Sequence, residues 1–163
     1  MEAASRDLGS LASLAGLAGF LVLVILVASS GAVFRPGEWY EALAKPGWTP
    51  PDWLFPVAWT VLYVMIAAAG WLAWLERGLA AAPLAFALYF GQLALNAAWS
   101  WLFFGLRRMD LAFVDVSLLW LFIVGSVLAF HAIRPLAAWL LVPYWVWVSY
   151  AAALNFALWR MNS

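Results

Sequence analysis

What most constrains this chain is its succession of long apolar runs. Cutting at charges and prolines leaves five, approximately Leu11–Phe34, Leu54–Leu75, Leu79–Leu106, Leu111–Phe130 and Leu136–Trp159. Each has about the 20 residues that a helix needs to cross ~30 Å of hydrocarbon. Hydrocarbon offers no water to backbone N–H and C=O groups, so only helices and closed barrels can span it. The runs are continuous rather than alternating, which disfavours a barrel. The sequence therefore predicts an all-α integral membrane protein, a five-transmembrane-helix bundle over residues 11–159. Short tails at 1–10 and 160–163 would lie on opposite faces. With 68% hydrophobic and 10% charged residues, the chain is far too apolar for an ordinary soluble domain. Its formal net charge of zero gives no reason to expect a nucleic-acid partner. The absence of cysteine excludes disulfides and thiolate chemistry.

The first run invites a second reading as a cleaved leader, because Arg6 precedes it and Ala28 to Ala32 are small. Its apolar core exceeds the roughly 7 to 15 residues of such leaders, so it is read as a true first helix. Orientation follows from the basic residues. Arg6, Arg77 and Arg134 fall on one side, whereas Arg35, Lys45, Arg107, Arg108 and Arg160 fall on the other. By the positive-inside rule the second side, which carries the C terminus and the first connection, is expected to be cytoplasmic.

That first connection, residues 35–53, is unusual. Trp39, Trp48 and Trp53 alternate with Pro46, Pro50 and Pro51, too rigid and apolar for a solvent loop, while Glu38, Glu41, Lys45 and Asp52 bar it from the membrane interior. A lid over the end of the bundle fits both properties.

Polar residues inside the runs point to what lies beneath. In the third run Gln92, Asn96, Trp99 and Phe103 share one helical face, while Ala87, Gly91, Ala94 and Ala98 share another, roughly 140° away at ~100° per residue. Small residues let a second helix approach closely, within the monomer or across a homodimer. Amides facing lipid are costly, so the polar face is expected to look inward. In the fifth run Tyr144, Trp147, Ala151 and Asn155 share a face after Pro143, which removes a helix hydrogen bond. In the second, Phe55, Trp59 and Tyr63 align. Asp115 in the fourth run has two readings, a functional buried carboxylate or a helix-end acid paired with Arg107 or Arg108. Aromatic stripes more often pack than bind, but three of them could line one cavity suited to a large planar ligand with polar edges: a tetrapyrrole, a sterol or a fused aromatic drug. Metal ligation has little support, since His131 is the only histidine and lies at a span end beside Arg134. No conventional catalytic constellation can be assembled, so enzymatic activity stays open.

The segments WYEALAKPGWTPPDWLFPVAWTVLY, QLALNAAWSWLFFG and LAAWLLVPYWVWVSYAAALNF resemble the TspO/MBR family of translocator proteins, also called peripheral-type benzodiazepine receptors, from about Pro36 to Asn155. The resemblance implies a five-helix bundle, often dimeric, that needs no cofactor. Its ligands would be protoporphyrin IX, haem and, in animal relatives, cholesterol and synthetic benzodiazepine-type compounds. It also implies a pocket built from Tyr40, Trp48 and Pro50 of the lid, Trp59 and Tyr63, Asn96 and Trp99, Asp115, and Trp147 and Ala151. Trp59 and Trp147 match tryptophans implicated in light-dependent porphyrin degradation in some bacterial relatives. The family's sterol pattern is incomplete here, because Tyr150 has no basic residue within five positions downstream. Transport of tetrapyrroles or other lipophilic molecules is the alternative function, and an assembly role through the small-residue face is a third.

Overall fold

The computed structural model describes residues 9–163, so the N-terminal tail with Arg6 lies outside the described residues. Six helices follow: α1 (Leu11–Val33), α2 (Glu38–Glu41), α3 (Leu54–Arg77), α4 (Pro83–Ser100), α5 (Met109–His131) and α6 (Pro135–Met161). No strand occurs among the described residues. Local chemistry sets the ends. Ser10 caps α1 by accepting the Ser13 N–H at 3.2 Å. Gly78, at φ 71°, ends α3 in a left-handed conformation that glycine adopts without penalty. Pro83 and Pro135 open α4 and α6, where their missing N–H has no helical partner to lose.

Four of these helices, α1, α3, α5 and α6, are long and apolar enough to cross a membrane. The chain is a multi-pass membrane protein. The third predicted run behaves differently from the other four. Residues 79–82 form a turn, and regular α4 has only 18 residues, with Gln92 and Asn96 lowering its apolarity. It continues as a π turn over Trp101–Gly105, where the Leu106 N–H reaches back to the Trp101 carbonyl at 2.8 Å and the Arg108 N–H to that of Leu102 at 3.0 Å. The wider turn re-aims the side chains that follow, and Phe103 is buried. The last helix runs to Met161, so Arg160 belongs to it rather than to a tail.

The long helices pack in a closed order, α1 on α3, α3 on α6, α6 on α5, α5 on α4 and α4 back on α1. Small residues permit the closest approaches. Ala67, Ala69, Gly70 and Ala73 of α3 are fully or nearly fully buried, and Tyr89 from α4 donates across to the Ile66 carbonyl at 2.9 Å. Pro143 lies inside α6 and is itself exposed, between buried Leu141 and Tyr144.

Candidate functional site

The amide face of α4 is the centre of a buried polar relay. The Tyr63 hydroxyl on α3 donates to Asn96 Oδ1 at 2.7 Å, Asn96 Nδ2 donates to the Tyr144 hydroxyl on α6 at 2.9 Å, and Tyr144 donates to Gln92 Oε1 at 2.8 Å. Spacing explains the convergence: Gln92 and Asn96 stand one turn apart, as do Trp59 and Tyr63, so each pair shares a face. Trp59 stacks on Tyr63 with ring centres 5.3 Å apart and meets Tyr144 edge-on at 6.1 Å. Two buried atoms beside these rings have no hydrogen-bond partner, Gln92 Nε2 and Asp115 Oδ2. Asp115, on α5, lies within electrostatic reach of Tyr144. It does not pair with the arginines at its helix start, because Arg108 takes Asp110 instead, at 2.6 Å.

A second cluster joins this one to the lid. Trp99 stacks on Phe103 at 4.9 Å, and its indole N–H donates to Asn155 Oδ1 at 3.0 Å. Asn155 in turn donates to the Met109 carbonyl at 2.9 Å, tying α4, α6 and α5 together. Trp147 meets Phe55 at 5.9 Å and Tyr150 at 6.0 Å. Trp48 stands edge-on to Tyr150 at 5.6 Å, and its carbonyl accepts the Tyr150 hydroxyl at 2.7 Å. Tyr40 is buried against Phe103 and Phe104. Burial, then Asp52 and Tyr150, push its hydroxyl above the usual tyrosine range, so it stays neutral. Lys45 covers the Tyr40 ring, 4.7 Å from its centre. The lid is thus seated on the end of the bundle where α4 finishes and α6 terminates. Pro50 and Ala151 are half-buried.

The TspO/MBR family model matches residues 19–160. The chain belongs to this family. Protein CrtK of Rhodobacter capsulatus is 41% identical over 135 residues, covering 82% of this chain and 84% of that protein. The tryptophan-rich protein TspO of Chlorobaculum tepidum is 42% identical over 149 residues, 86% and 91% of the two chains. The translocator protein of Homo sapiens is 41% identical over 139 residues, 81% of each.

In this TspO/MBR protein the small-residue face of α4 is divided. A Cβ on Gly91 would stand 2.5 Å from Phe122 Cε1, so that position is closed by α5 of the same chain. Ala87 and Ala94 are exposed, and Ala98 is half-buried. A leucine at Gly91 would therefore disturb the monomer before it tested any contact between copies.

Several residues of the TspO/MBR site carry more than their stripes implied. Gln92 and Tyr144 complete the relay, and both were legible as members of the α4 and α6 stripes. Asn162 gave no such signal. Its side chain accepts the Ala44 N–H at 2.9 Å and donates to the Ala44 carbonyl at 3.0 Å, clasping the lid to the C-terminal end of α6.

Proposed function

We propose that this protein is a membrane receptor and sensor for porphyrins, protoporphyrin IX or haem, and for similar large planar apolar ligands. The observation that carries this reading is the pair of buried, unpartnered polar atoms, Gln92 Nε2 and Asp115 Oδ2, on side chains that both interact with Tyr144, whose ring meets Trp59. Buried polar groups without partners cost about 1–3 kcal/mol each, and a macrocycle supplies both a flat apolar body for the rings and polar edges for such atoms. The rings stand in mutual contact, so ligand entry requires them and the lid to part. Relatives named sensory and translocator proteins agree with binding of this kind. His131 closes α5 at the end remote from Asp115, so recognition of haem would rest on the porphyrin rather than on a histidine–iron bond.

Dark titration with protoporphyrin IX, followed by tryptophan quenching, is expected to saturate at micromolar concentration or below, a free energy of about −8 kcal/mol. Quenching that never saturates would mean partition into detergent and would remove the receptor reading. In this reading the indoles of Trp59 and Trp147 would donate an electron to a photoexcited macrocycle or react with oxygen species. Trp59→Phe and Trp147→Phe should keep the apolar contact, and with it most of the binding, yet abolish light-dependent porphyrin loss. Loss at the parental rate in both variants would eliminate the photochemical role.

The α4 helix and its π turn together run from Pro83 to Gly105, and we read them as a fifth crossing whose inward amides depress its apolarity. Five crossings put the termini on opposite faces, with the lid and C terminus cytoplasmic. The parent has no cysteine, so single cysteines at Gly9 and Ser163 test this directly. An impermeant maleimide added outside intact cells should label only the first; labelling of both from one side would cancel the fifth crossing.

A further inference from the structure

Outside the aromatic site, a cleft of about 590 Å³ opens where α1 ends and α5 begins, lined by Arg35, Gly37, Glu38, Trp39, Phe104 and Arg107. Its construction is specific. Gly105 lets the Phe34 ring lie against the π turn, since a Cβ there would stand 2.9 Å from Phe34 Cδ1. That close approach brings Arg35, the next residue, to the same cleft as Arg107. Arg107 holds a left-handed backbone at φ 56°, an unfavourable conformation for a residue with a side chain. Its guanidinium stands 5.7 Å from the centre of the Trp39 ring. The neighbouring Arg108 points elsewhere, in a bidentate pair with Asp110 at 2.8 and 2.6 Å. Among the described residues, Arg35, Arg107 and Glu38 have no ion-pair partner.

We infer that this cleft binds a phospholipid headgroup that joins a phosphate diester to a primary ammonium, as in phosphatidylethanolamine. Two guanidiniums suit a phosphate because each offers several N–H donors in a fixed plane. A purely anionic headgroup would leave Glu38 facing like charge, whereas a primary ammonium gives its carboxylate three N–H donors. The quaternary ammonium of phosphatidylcholine has the same charge but no N–H. Trp39 and Phe104 supply the apolar wall for the glycerol and the first acyl carbons, at the depth where aromatic side chains concentrate. This site is separate from the aromatic relay and does not depend on porphyrin binding.

The test is native mass spectrometry of the full chain in detergent with matched-chain phosphatidylethanolamine, phosphatidylcholine or phosphatidylglycerol. Phosphatidylethanolamine is expected to bind saturably and about tenfold more tightly than the other two, the scale of one charge-assisted hydrogen bond. Arg35→Gln and Arg107→Gln should weaken all three lipids. Glu38→Gln should erase the preference for phosphatidylethanolamine over phosphatidylcholine, because both lipids lose the attraction of the carboxylate but only phosphatidylethanolamine also loses charge-assisted hydrogen bonds. All three side chains line an open cleft, so the substitutions leave the packed interior intact, and unchanged helicity checks this. Equal retention of the three lipids by the parent, a preference for phosphatidylglycerol, or displacement by excess inorganic phosphate would each overturn the assignment, the last by showing a free phosphate site.

Discussion

Gly70→Val should destabilise the protein by about 3 kcal/mol, and Gly70→Ala by about 1–2 kcal/mol, at the overpacking scale for a filled core. A Cβ at this position on α3 would stand 2.5 Å from the Tyr89 hydroxyl oxygen, 2.6 Å from its Cζ and 2.7 Å from Phe20 Cε1. None of these neighbours can retreat easily. Tyr89 is held by its hydrogen bond to the Ile66 carbonyl and backed by Phe130, stacked at 5.5 Å, while Phe20 meets Tyr89 edge-on at 5.8 Å. Valine adds two branches that cannot rotate away, so α1 and α4 would both have to move off α3. Gly19 provides the contrast, because nothing lies within 4 Å of a Cβ there. Alanine at Gly19 should be neutral or gain up to about 1 kcal/mol of helix propensity. Thermal unfolding in detergent measures both. A parental transition in Gly70→Val would show that α1, α3 and α4 do not meet as described.

The fold was legible where one property decided it. Uninterrupted apolar length located α1, α3, α5 and α6 to within a few residues, because crossing hydrocarbon leaves a helix no alternative. It did not reveal α4 as it stands. Gln92 and Asn96 were recognised as inward-facing, but the π turn at Trp101–Gly105 depends on how Phe34 and Tyr40 pack around Phe103 and Gly105, and no local pattern in WLFFG announces it. The small residues of α3 around Gly70 went unremarked for a related reason. In a run already rich in alanine, only the neighbouring helices decide which small residues are compressed.

The site divides in the same way. Helical periodicity grouped Trp59 with Tyr63 and Asn96 with Trp99, since those relations are local. Which partner each polar atom would choose was not legible. Asn96 bridges Tyr63 and Tyr144, while Trp99 turns to Asn155, pairings that span 33, 48 and 56 positions of sequence. The lid's prolines signalled a fixed shape, but its clasp to Asn162 joins residues 118 apart.

Asn96→Ala is expected to weaken protoporphyrin IX binding about tenfold or more, the largest loss from any single truncation of a polar group in the site. Asn96 contributes one acceptor and one donor to the relay, and alanine removes both. Tyr63 then loses its acceptor, while Tyr144 keeps only Gln92. Hydrogen bonds between membrane helices are worth about 0.6 kcal/mol on average, because the unfolded chain within the bilayer also finds partners. The two lost bonds alone would therefore lower stability by only about 1 kcal/mol. Binding is more exposed to the change, since Tyr144, which holds Gln92 Oε1 and so presents Gln92 Nε2 to a ligand, loses its anchor on Asn96. Tyr63→Phe separates the two effects. It deletes the outer bond but leaves Asn96 anchored to Tyr144, so stability should fall slightly and affinity by a few-fold at most. If Asn96→Ala binds like the parent while melting lower, the relay is ordinary helix-to-helix glue and the porphyrin site lies elsewhere. A tenfold loss in Asn96→Ala, set against near-parental binding in Tyr63→Phe, would locate recognition at the junction of α4 and α6.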